Sequence, residues 1–347
     1  MCKQYYTNKN YPYFRATSYD EFIAYSKIAT PGAMVELAPG VYKVPSPLTA
    51  DNVYMTLDGR RAVAKDTTCD WPRLAVSPTL KGVKGRPNKP ITFCGDPKKT
   101  ILDGSASGSN GAGMTVQSCS YIRVAGFTLR NALRGLDVQL TNNSVFSDLI
   151  TARTYHEAIR VRYWSNNNVI QNSRITFTGR GFVGNGEGIY VGTARGQTVD
   201  CNHDPDVSSY NVIKGNTFGP NVTSENVDIK EFTEGGKIVD NTFDGSDLRG
   251  IHASTSWIDL KGNKYEVSGN VGTGLAVEGA GIKVMQRIAG EGDDNVLKEN
   301  TCVGLTGTSV CLFVDPRTKG NKVDCSNSLK KSGPKTKLTN VNGVNCS

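Results

Sequence analysis

The sequence predicts an all-β protein: a single-stranded right-handed parallel β-helix, one solenoid domain over residues 1–347. Three observations carry that prediction. A phrase recurs along the middle of the chain, a strand of constant pattern lies between its copies, and an Asn marks the same place in each copy.

The phrase reads NNVIQN (167–172), YNVIKGNTF (210–218), GKIVDNTF (236–243), KYEVSGN (264–270) and DNVLKENTC (294–302). Its marks are Asn172, Asn216, Asn241, Asn270 and Asn300, at intervals of 44, 25, 29 and 30 residues, the first enlarged by an insertion around 194–209. Between the marks run GLDVQ (135–139), AIRVR (158–162), GIYVG (188–192), NVDIK (226–230), WIDLK (257–261) and GIKVM (281–285). Each alternates two apolar with two variable positions, the period of a half-buried strand. The apolar pair should face the bore and the variable pair the outside, with equivalent residues about 4.8 Å apart on successive coils. Stacked asparagines suit the bends, because Asn tolerates left-handed backbone and its amide can bond to its neighbours. An antiparallel sandwich would explain neither the constant strand order nor the Asn mark.

A solenoid needs its open end covered. Ser18-Tyr-Asp-Glu21 is a capping-box pattern that predicts a short N-terminal cap helix over 17–29. From about Asp315 to 347 the repeat fades while Lys, Ser and Cys increase, which predicts an irregular C-terminal tail packed on the outside, pinned by Cys325 and Cys346.

Nine cysteines without a CxxC pair suggest disulfides and an oxidising, extracellular setting. The odd count leaves one thiol unpaired or one bridge intermolecular. Sequons at Asn142, Asn221 and Asn345 are compatible with secretion and glycosylation. No signal peptide precedes Cys2, so the chain reads as a mature form with an added Met1. No stretch approaches the roughly 20 apolar residues of a membrane span, and the expectation is a soluble, secreted monomer with no membrane partner. A net charge of +8 favours an anionic partner. The Lys and Arg are dispersed, without a zinc-finger spacing or an RNA-recognition signature, so an acidic polysaccharide fits better than nucleic acid.

Aligning the second strands by their apolar pairs turns sequence into columns. One column holds Glu157, Glu187 and Glu225. The next outward column runs Asp137, Arg160, Tyr190, Asp228, Asp259 and Lys283, and the one after it Gln139, Arg162, Gly192, Lys230, Lys261 and Met285, with His156 at the rim. Stacked glutamates repel one another. Either a hard cation such as calcium sits among them, or Arg160, Arg162 and Lys230 neutralise them. Carboxylates, arginines and a candidate amine base match the needs of β-elimination on a uronic acid polymer. That reaction requires neutralisation of the uronate, removal of the C5 proton, and protonation of the departing O4. Glycoside hydrolysis by paired carboxylates, Asp228 with Asp259 or Glu187 with Glu225, is the enzymatic alternative. A non-catalytic glycan-binding β-helix is the other.

The chain resembles the β-helix polysaccharide lyases, and most closely the chondroitinase B and alginate lyase family. Pro31-Gly32 followed by Val35 to Tyr42 resembles that family's segment after its N-terminal helix. Glu225 with Lys230 five residues later, Asn241-Thr-Phe243, and Arg249 with His252 resemble its later elements, although here two residues part the Arg from the His. The resemblance implies Lys230 as base, Arg249 as acid, and Glu225 with a neighbouring Glu as calcium ligands. Lys261, Arg160 and Arg162 are the other candidates for the acid. Tyr190, Asp228, Asp259, His252, His156 and Lys283 are expected to line the substrate path, and Glu157, Glu187 and Glu225 the metal site. Pectate lyases share the helix and are close competitors.

Overall fold

The computed structural model describes residues 2–4, 10–44, 54–55, 61–62, 79–105, 111–197 and 205–341. Three long parallel sheets wind around one bore, two of ten strands and one of eleven. Every strand in them pairs in parallel with the equivalents of the coils before and after it, which makes the molecule a parallel β-helix and removes the sandwich alternative.

The apolar pairs of the repeat face inward as their period demands. On the sheet built from the second strands, Ile159, Ile189, Val227 and Ile258 form one buried stack, and Val161, Val191, Ile229 and Leu260 another. Burying each such side chain contributes about 1.5–3 kcal/mol, and because every coil repeats the pattern, a register slip would expose a whole stack. The sequence suggested two strands per coil. The structure has three, because a further ten-stranded sheet is built from short strands such as Arg174–Thr176, Thr217–Phe218 and Thr242–Gly245. With only two to five residues and often a single core position each, these strands carry too little alternation to be recognised.

The asparagine ladder is real and saturated. The Nδ2 of Asn216, Asn241, Asn270 and Asn300 each donates to the Oδ1 of the next rung, ending at Asn327, over 2.9 to 3.1 Å. Asn172 is a correction: it is exposed at φ 51°, and Ser173 occupies the rung, its amide donating to Asn216 Oδ1. Asn270 also donates to the Ile238 carbonyl and accepts from the Asn241 amide. Asn270→Ala therefore strands buried donors and acceptors at about 1–3 kcal/mol each. The expected outcome is a denaturation midpoint lowered by several degrees; an unchanged midpoint would refute a structural role for the ladder.

The cap helix spans Tyr19–Ile28, inside the expected 17–29. Ser18 Oγ accepts from the Glu21 amide at 3.1 Å, and Glu21 accepts in return from the Thr17 amide at 2.7 Å. Phe22 then meets Phe93 and Phe127 edge-on, plugging the bore.

The other end differs from expectation. Residues beyond Asp315 do not form an outside tail: Lys322–Val323, Ser328–Lys330 and Lys337–Thr339 extend all three sheets by a further coil. Their side chains are largely half-exposed, since no later coil covers them among the described residues, so Lys and Ser replace the apolar pairs that would have revealed the repeat. Disulfides join Cys2 to Cys94 and Cys302 to Cys311, and Cys325 is also bridged. Cys119 is the free thiol among the described residues; it is buried, which pushes its pKa up to about 11. Cys346, and Cys201 and His203 of the insertion, lie outside the described residues. No described helix is long and apolar enough to cross a membrane.

Candidate functional site

The inferred columns are physical rows. Asp137 stands opposite Arg160, Arg160 opposite Tyr190, Tyr190 opposite Asp228, Asp228 opposite Asp259, and Asp259 opposite Lys283, with Phe313 next. All lie on the outer face of one sheet, because the intervening apolar residues fill the bore. The same register places Glu157, Glu187 and Glu225 at the start of successive strands, and Lys230 and Lys261 at the ends of theirs.

At the centre Asp228 receives two ammonium groups, Lys230 at 2.6 Å and Lys261 at 2.7 Å. Lys261 also reaches Asp259 at 2.8 Å. Burial opposes the charge on Asp228, but the two amines outweigh it and hold the carboxyl below its ordinary range. Burial likewise opposes both ammonium charges. Asp228, with Tyr190 for Lys230 and Asp259 for Lys261, reverses the effect, so Lys230 is raised well above an ordinary lysine and Lys261 is raised as well. The Lys230 ammonium lies over the Tyr190 ring, 4.7 Å from its centroid. Tyr190 is buried, and burial is the main reason its phenol is raised.

Glu187 and Glu225 complete the centre. Ligand oxygens of Glu187, Glu225 and Asp228 can all lie within 4.8 Å of one another. Glu225 accepts from Ser224 at 2.7 Å and Ser254 at 3.0 Å. Oε2 of Glu187 is buried with no hydrogen-bond partner. Burial first, then the carboxylates of Glu157, Glu225 and Asp228, push Glu187 well up; burial, Asp228 and Asp259 raise Glu225. Two carboxyl groups are thus held against ionisation unless positive charge arrives. An oxygen-only donor set with one orphaned member, Glu187 Oε2, fits a hard cation such as calcium.

Glu157 departs from the expected metal trio. It accepts from Arg134 Nε at 2.7 Å and lies 3.9 Å from Arg160, and although burial opposes its charge the two guanidinium groups bring its pKa down to about 2. Asp228 takes its place beside Glu187 and Glu225. Arg134 was not singled out in the sequence, yet it precedes GLDVQ at the offset at which Glu157, Glu187 and Glu225 precede their strands; extending the alignment one coil back would have found it. Because the folded-state pKa of Glu157 is depressed, its contribution to stability is present above pH 4.5 and is lost as pH falls towards 2. Glu157→Gln should therefore destabilise the protein at pH 7, with the gap to the native protein closing between pH 4.5 and 2 in denaturant titrations. A gap that does not change with pH would remove the ionic explanation.

The remaining candidates divide by their partners. Arg160 is buried and bound to Asp137 at 2.8 Å, and Arg162 Nε donates to Thr193 at 2.7 Å. Arg249 is exposed, just ahead of a short turn at Ile251–Ala253 that carries His252. The His252 ring lies 5.5 Å from that of Phe182, so the loops before two strands of the site sheet meet there as a wall. His156 is half-buried at the rim, and burial lowers its pKa to about 4, which keeps it neutral near pH 7.

Neither a protein-family model nor a curated protein matches the sequence. Solved structures do share the fold. An alginate lyase from Paenibacillus sp. str. FPU-7 superposes with TM-score 0.73 at 24% identity, over 92% of this chain and 98% of its own. A rhamnogalacturonan lyase gives 0.58 at 14% over 91% and 86%, and a pectate lyase 0.52 at 13% over 92% and 78%. At these identities the likeness establishes the parallel β-helix and leaves the chemistry to the site.

Proposed function

We propose that this protein is a secreted lyase that cleaves a uronic acid-containing polysaccharide by β-elimination. The observation that carries the reading is the row of charged side chains on the outer face of one sheet, with the Lys230 ammonium over the Tyr190 ring at its centre. Three of the solved structures sharing the fold bear the names of polysaccharide lyases, which supports the reaction class.

Lys230 is assigned as the base that takes the C5 proton. Its raised pKa makes it an ammonium ion in the free protein, yet its counter-ion does not depend on it: Asp228 keeps Lys261 when Lys230 loses its proton. Tyr190, whose ring lies under that amine and whose raised phenol keeps its proton, is assigned, with exposed Arg249 as the alternative, to protonate the departing O4. Arg160 and Lys261 are poorer donors because carboxylates on two sides hold each of them. Glu187, Glu225 and Asp228 would hold calcium. When bound it would supply positive charge against the uronate carboxylate, which acidifies the C5 proton.

The test is incubation with alginate, pectate, glucuronan and dermatan, read as the ultraviolet absorbance of an unsaturated uronate. Absorbance on none of them refutes the reading. A pH series adds a sign. A base protonated at neutral pH predicts that kcat/KM rises with pH through the alkaline range. A rate that instead falls above neutral pH would point to a carboxylic acid catalyst. That is the second reading, a glycoside hydrolase, which the raised Glu187 beside Glu225 favours and which releases reducing ends without the absorbance.

A further inference from the structure

Beyond the central carboxylates the row continues to Lys283, two rungs or about 10 Å from Asp228 along the helix axis. Lys283 differs from the other basic groups of its row. Arg160 is held by a carboxylate, and the flanking Lys230 and Lys261 are too, whereas Lys283 has no carboxylate within ion-pair distance among the described residues and donates only to Thr255 Oγ1. The amine is half-buried, and burial lowers its pKa ahead of the opposing effects of Asp259 and Glu225.

This ammonium opens on a pocket of about 340 Å³ lined by Thr255, Glu278, Gly279, Ala280, Met285 and Phe313. Its lining has two characters. Phe313, directly opposite Lys283 on the next coil, and Met285 are half-exposed apolar surface. Glu278 accepts from the Thr308 amide and hydroxyl at 3.1 Å each and forms no ion pair with Lys283. An unpaired cation and an apolar ring on successive rungs, facing one pocket, suit a sugar that carries a carboxylate and an apolar ring face.

We propose that Lys283 and Phe313 form a subsite for one uronic acid residue, two coils beyond the reacting centre. In it Lys283 takes the carboxylate and Phe313 packs against the ring. The subsite rests on the lyase reading for its ligand class. It also fixes the direction of the bound chain: the polymer lies along the helix axis across the rungs and extends towards the C-terminal coils.

The test is calorimetric titration with tetrasaccharides of alginate and of pectate, and with their carboxyl-reduced counterparts. It is carried out on protein bearing Lys230→Ala so that binding is read apart from turnover. Adding Lys283→Met, which keeps the apolar stem, should weaken binding of the acidic tetrasaccharide about tenfold or more. It should leave the weaker binding of the reduced one unchanged, and Lys283→Arg should restore most of the loss. Phe313→Ala should weaken both. Equal affinity of the Met variant and its parent for the acidic sugar, an equal loss for both sugars, or no binding of any tetrasaccharide would overturn the subsite. An absence of unsaturated product from the native protein refutes the lyase reading alone, because a charge-selective loss at Lys283 would still be measured.

Discussion

Lys230→Ala is expected to abolish the unsaturated product on every polyuronide that the native protein cleaves, a fall of about 10²–10⁴-fold if the amine acts as general base. The variant should fold. Asp228 keeps Lys261 at 2.7 Å, so truncating Lys230 does not strip Asp228 of its counter-ion. Lys230→Arg sharpens the result. A guanidinium can replace the charge beside Asp228 and over the Tyr190 ring, but it stays protonated at any pH the protein survives. A basic role predicts that Arg is as inactive as Ala. If Arg restores turnover, Lys230 works by its charge and the base must be found elsewhere, with Tyr190 next. If Ala retains turnover, the assignment fails outright. Asp228→Ala would be a poorer probe, because it leaves the Lys230 ammonium without its carboxylate while Lys261 keeps only Asp259, at about 3–5 kcal/mol, and so confuses loss of fold with loss of chemistry.

The register of this site was legible because a β-helix converts sequence spacing directly into spatial stacking. Once Val227 and Ile229 are set against Ile189 and Val191, Asp228 must lie opposite Tyr190 and Glu225 must follow Glu187. The partners of each charge were not legible. Whether Lys230 turns to Asp228 or stays beside the cations Lys261 and Arg162 depends on rotamers and burial, which periodicity does not encode, and the sign of its pKa shift follows from that choice. Glu157 shows the same limit. Its column matched that of Glu187, yet Arg134 one coil back draws it away from the carboxylate cluster of Glu187, Glu225 and Asp228. The final coil escaped notice for a different reason: a terminal coil has a neighbour on one side only, so its outward-turned Lys and Ser obscure the repeat that its backbone follows.

Calcium binding carries the second large expectation. Glu187, with an orphaned buried oxygen and a pKa pushed well up by burial and by Glu157, Glu225 and Asp228, is in effect an anion site without its cation. If these carboxylates hold calcium, the ion binds only the folded chain. Stability must then rise with free calcium, by about 2.7 kcal/mol when its concentration is a hundred times Kd. The measurement is a thermal melt of the native protein after chelation and again with added calcium, independent of any substrate. Glu187→Gln separates the two explanations of the cluster. The amide removes the charge repulsion, so the calcium-free variant should be at least as stable as the calcium-free native protein, and it should lose most of the calcium-dependent gain. If calcium does not move the native melt while Glu187→Gln raises it, the carboxylates are neutralised by proton sharing and by Lys230 and Lys261 alone. Neutralisation of the uronate would then fall to the lysines of the row, and activity would survive chelation.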